Sequence, residues 1–66
     1  MLDWERTLET LRRRGWGYGY GKFSDAQSGE DIYLVNLSRG EMRLSIRKPS
    51  IEEAVTVISR LAQGES

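Results

Sequence analysis

The side chains best suited to catalysis are missing: the chain has no His and no Cys. That removes the commonest general base and nucleophile, rules out disulfides, and excludes zinc sites built from imidazole and thiolate. Its Asp and Glu residues fall in helices, in loops or at the first residue of a strand, with no convergent pair to share a proton. One run stands out, Arg14–Phe23, which reads R-G-W-G-Y-G-Y-G-K-F. A dinucleotide fingerprint, G-x-G-x-x-G, requires Gly where Tyr20 or Lys22 stands. A P-loop requires Ser or Thr where Phe23 stands and Gly where Trp16 stands. Both motifs follow a strand, whereas this run follows a helical pattern. The expectation is therefore a non-enzymatic protein with no cofactor and no metal.

The chemistry left to the run is contact. In an extended strand successive side chains point to opposite faces. Trp16, Tyr18, Tyr20 and Lys22 then line one face, and Gly15, Gly17, Gly19, Gly21 and Phe23 the other. Glycine weakens a strand, so the three at 17, 19 and 21 call for a close approach, by a packed helix or by a ligand. If the aromatic face is exposed, it is a docking surface. If it packs against helices, the glycine side is the surface. The solvent exposure of Trp16 separates the two.

The elements that position this run follow from pattern. Asp3 is a plausible N-cap, and Trp4, Leu8 and Leu11 form one helical stripe. Arg12, Arg13 and Arg14 suit a helix C-terminus, and Gly15 is the stop, which places a helix over 3–14. Strands follow at Trp16–Phe23, Asp31–Leu37 and Glu41–Arg47, the last with Met42, Leu44 and Ile46 facing in. Between the last two, Ser38-Arg39-Gly40 reads as a type I turn with Gly40 in a left-handed bulge. That turn pairs Leu37 with Glu41, Leu34 with Leu44 and Ile32 with Ile46, putting five aliphatics on one face. A one-residue slip buries Tyr33, Val35 and Leu37 instead. Ser50 with Glu53 forms a capping box, and Ile51, Ala54, Val55, Ile58, Leu61 and Ala62 make a wide stripe on a second helix over 50–63, closed by Gly64. The reading is a single α+β domain over 1–66, an α-β-β-β-α two-layer sandwich: a three-stranded antiparallel sheet with both helices on one face. With Phe23 opposite Ile32, the aromatics lie on the open face.

A chain of 66 residues builds a small core, worth rarely more than about 3–5 kcal/mol, so a partner chain is a natural supplement. Net charge is zero but uneven. Residues 12–48 carry eight basic residues against Asp25, Glu30, Asp31 and Glu41, while both flanks are acidic. No apolar run reaches the roughly 18 residues of a membrane span, and no signal peptide opens the sequence. A soluble cytoplasmic protein with no membrane partner is expected, and no small-molecule substrate is evident.

Residues 14–18, R-G-W-G-Y, resemble the start of the RNP1 signature of RNA-recognition motifs and cold-shock domains. The resemblance implies stacking by Trp16 and Tyr18 and a phosphate contact by Arg14. Gly19 and Gly21 depart from it where an aliphatic and an aromatic residue are usual. The element order resembles the double-stranded-RNA-binding domain and HicA-type toxins, without the basic cluster of the former, since Ser50-Ile51-Glu52-Glu53 is acidic, or the His of the latter. The function expected first is an interaction module that binds a protein, or a second copy of itself, through an aromatic sheet face. Its partner-binding residues are Trp16, Tyr18, Tyr20, Tyr33, Arg43 and Arg47. Single-stranded nucleic acid or RNA binding is the alternative.

Overall fold

The computed structural model describes residues 2–64. The elements are α1 (Asp3–Arg13), β1 (Gly17–Ser24), β2 (Asp31–Arg39), β3 (Met42–Lys48) and α2 (Ile51–Gly64). The strands form one antiparallel sheet in the order β1-β2-β3. Both helices cover one side of it, giving the expected α-β-β-β-α sandwich. α2 packs on β2 and β3, while α1 packs chiefly on α2 and touches β1 lightly.

The cap residue of α1 is Leu2 rather than Asp3, with no side-chain cap bond; Asp3 and Glu5 instead place negative charge in the first turn, where the helix dipole favours it. The other end is a Schellman motif. Gly15, at φ 97°, donates its N–H to the Arg12 carbonyl at 3.0 Å, and Trp16 donates to the Leu11 carbonyl at 3.1 Å. This motif brings the residue after the glycine back onto the last turn of the helix, and Trp16 and Leu11 are both core residues. Trp16 is thus tied to α1 before the sheet begins. At the start of α2, the Ser50 hydroxyl accepts the Glu53 N–H at 3.1 Å, which is the N-cap half of the expected capping box.

The β2–β3 register corrects the expectation. Arg39 pairs with Met42, so the loop is the two residues Gly40-Glu41. Gly40 has φ 62°, and no described non-glycine residue has positive φ. A positive φ at the first central residue only is the type II′ pattern, which spares Arg39 any left-handed strain. Val35 then pairs with Ile46 and Leu37 with Leu44. Val35 and Leu37 are fully buried beneath the helices beside Leu8, Leu11, Ala54, Val55, Ile58 and Ala62. Ile32 and Leu34, expected in the core, lie on the open face. Phe23 does pair with Ile32, but there too, and it is exposed. Met42, Leu44 and Ile46 face inward as read. Leu61, assigned to the apolar stripe, is exposed.

The chain runs α1 down, β1 up, β2 down, β3 up and α2 down, so the helices are parallel. Their N-terminal turns share a cleft lined by Asp3, Trp4, Glu52 and Val55. Their C-terminal turns share another, lined by Leu11, Arg14, Ala62 and Gln63 together with Trp16 and Arg39.

Candidate interaction surfaces

The six residues expected on one docking face are divided among three places. Trp16 is 3% exposed and belongs to the core, with the Arg39 guanidinium 4.4 Å above its ring. Tyr18, Tyr20 and Tyr33 lie on the helix side of the sheet, the side bearing Val35 and Leu37. Arg43 and Arg47 lie on the open face, opposite Ser38 and Leu34. The aromatic open face with an arginine rim does not form. The cause is the turn: moving the left-handed residue from the end of the loop to its start reverses the face that β2 buries.

The structure builds two surfaces in its place. The first runs along β1. This is an edge strand, and α1 leaves its helix-side flank largely open. Tyr18 and Tyr20 are 38% and 53% exposed and stack at 6.2 Å between ring centroids. Trp4 meets Tyr20 edge-on at 5.2 Å. Trp4, Tyr20, Gly21, Lys22, Tyr33 and Ile51 line an apolar cleft of about 240 Å³. The only charge on β1 is Lys22, engaged by Asp31 at 3.4 Å. The other edge, β3, carries Arg43, Arg47 and Lys48, the kind of charge that discourages strand pairing.

The second surface is the open face, free of both helices. It bears Phe23, Ile32, Leu34, Asn36, Arg43 and Arg47, and no carboxylate lies among its strand residues. The glycines of β1 face this side, so close helix packing does not explain them. A Cβ on Gly19 would come within 3.0 Å of the Asn36 side-chain oxygen. A Cβ on Gly21 would meet nothing within 4 Å, so nothing in the chain requires that residue to be glycine. Gly21→Val is therefore expected to raise stability by about 0.5–1 kcal/mol, through better strand propensity and a less flexible unfolded chain. Thermal unfolding checks this; a lower melting temperature would contradict it.

Glu9 is held below the ordinary carboxylate pKa because it accepts a hydrogen bond from the Arg12 guanidinium, whose own pKa is raised in return. Both groups are solvent-exposed, which leaves the pair little weight in stability. Among the described residues no helix is long and apolar enough to cross a membrane.

Of the residues on these two surfaces, the sequence pattern singled out Tyr18, Tyr20, Tyr33, Arg43 and Arg47 but not Trp4 or Phe23, whose positions depend on α1 standing back from β1 and on the face that β2 buries. No protein-family model matches the chain, and no match was found among curated proteins or solved structures.

Proposed function

We propose that this protein is a non-enzymatic interaction module that accepts an extended protein segment along the free edge of β1, the segment coming from a partner or from β1 of a second copy. The observation that carries this reading is the pair of exposed, stacked tyrosines on an edge strand whose intervening glycines leave the opposite face bare. Strand addition draws affinity from main-chain hydrogen bonds and specificity from alternate side chains. An incoming strand would lay one set of side chains against Tyr18 and Tyr20. Its other set would cover Gly17, Gly19 and Gly21, where a bulky neighbour compensates for the missing side chains. A small core gives a further reason to gain a strand. A cytoplasmic setting belongs to the same proposal.

Sedimentation over a wide concentration range tests the second copy, and selection of binders from a displayed random-peptide library tests the heterologous segment. A strict monomer that selects no peptide overturns the reading. Nucleic-acid binding is a second reading, favoured by the carboxylate-free open face with Arg43, Arg47 and exposed Phe23, which could serve as a stacking platform. Titration with single-stranded oligonucleotides at two salt concentrations decides it: phosphate contacts predict affinity that falls with salt, and no binding at low salt removes it.

A further inference from the structure

We infer that the end of the molecule where both helices terminate holds a binding site for one phosphate group, as free phosphate or as a monoester, between Arg14 and Arg39. The two arginines come from different elements, the cap of α1 and the last residue of β2, and line one open cleft of about 160 Å³ with Trp16, Leu11, Ala62 and Gln63. That is below the roughly 300–1,000 Å³ of a pocket that encloses a drug-sized ligand, so the cleft fits a group and not a whole molecule.

Arg39 is held in place on two sides. Its stem passes the position a Gly15 Cβ would occupy, at 3.6 Å, and its guanidinium lies 4.4 Å over the Trp16 ring. Because Gly15 has φ 97°, a side chain is strained there and the passage stays open. A guanidinium fixed against an aromatic face keeps its donors in its own plane free, and its planar fork matches the oxygens of a phosphate. Arg14 and Arg39 each lack a carboxylate partner among the described residues.

The helix ends oppose an anion, since each C-terminus contributes about −0.5 charge. Two lining arginines outweigh two such ends, and Arg13 and Arg43 stand at the same end of the fold against one carboxylate, Glu41 in the β2–β3 turn. If the arginines served only to offset the helix dipoles, Arg39 would not be needed, because it sits on a strand and not on a helix.

The test uses Trp4→Phe protein, in which Trp16 is the sole tryptophan. Inorganic phosphate and methyl phosphate are titrated at ionic strength held constant with chloride, and Trp16 emission is followed. The expected result is a saturable change, weakened about tenfold or more in Arg14→Gln and Arg39→Gln, as loss of a charge-assisted hydrogen bond implies, and unchanged in Arg47→Gln. Tighter binding of methyl phosphate supports a monoester ligand, and tighter binding of inorganic phosphate supports the free ion. The inference fails if chloride alone reproduces the change, if no saturation occurs, or if Arg47→Gln weakens binding as much as Arg14→Gln. Should Arg39→Gln not fold, Arg14→Gln, which leaves the Trp16–Arg39 stack intact, decides the outcome alone. Arg14 and Arg39 are not among the residues proposed to contact an added strand, so the two readings are tested by different variants.

Discussion

Trp16→Ala is expected to leave the chain largely unfolded at 25 °C. Trp16 is one of nine buried hydrophobic residues among those described, and by far the largest of them. Truncating a buried Trp to Ala typically costs about 3–5 kcal/mol, from lost burial together with the cavity left behind. A core in this size class rarely supplies more than about 3–5 kcal/mol in total, so the loss is comparable to the whole stability. Two local losses add to it. The indole anchors the Schellman turn against Leu11, and it is the platform for Arg39. Trp16→Phe keeps an aromatic ring at both contacts and is expected to fold with a lower midpoint. Far-UV circular dichroism with urea unfolding measures both variants. A folded Trp16→Ala with wild-type midpoint would mean that the indole is not in the core. The result also separates the core role of this residue from the stacking role implied by the RNP1-like spacing, because a solvent-exposed stacking residue is truncated at little cost to stability.

Much of the architecture could be read from the chain because several elements carry a single unambiguous period. In β3, Met42, Leu44 and Ile46 alternate with charged or hydroxyl residues, and α2 has one apolar stripe and a capping serine. β2 is different. Ile32 and Leu34 make one face apolar, and Tyr33, Val35 and Leu37 do the same for the other, so hydrophobicity alone does not choose between them. The choice rests on whether Gly40 is the last residue of a bulged turn or the first of a type II′ turn, a difference of one residue that reverses every side chain on the strand. The one available signal for Trp16 lay in the residue before it. Gly15 is legible as a helix stop, and an apolar residue directly after such a glycine belongs against the helix it ends. Reading Trp16 as the first strand residue passed over that tie and left its placement to the β2–β3 register, which put the indole on the open face. The pairing of Gly17 with Ser38, which gathers Arg14 and Arg39 at one end, is a consequence of the β1–β2 register that no local pattern records.

Tyr20→Lys is expected to abolish strand addition at β1 while leaving the fold in place, and this pairing of outcomes is what distinguishes a docking residue from a core residue. Tyr20 is half exposed, and its contacts are an edge-on Trp4 and a stacked Tyr18. Losing an aromatic contact of this kind costs about 0.5–1.5 kcal/mol, which a chain of this size can survive. On the binding side the change acts twice. It removes an aromatic anchor of the kind whose truncation costs about 2 kcal/mol or more at a hot spot, roughly thirtyfold in affinity. It also gives β1 a second lysine beside Lys22, the guard that β3 already has and β1 lacks. Tyr20→Phe keeps the ring contacts without adding charge and is expected to bind as wild type. Arg47→Gln, on the open face, should leave strand addition untouched and weaken only an oligonucleotide. The measurements are sedimentation for self-association, fluorescence anisotropy for a selected peptide, and a thermal melt of each variant. If Tyr20→Lys binds a selected peptide as tightly as wild type while Arg43→Gln and Arg47→Gln lose it, the contact surface is the open face. The glycines of β1 would then be explained by a ligand lying across them and not by a strand beside them.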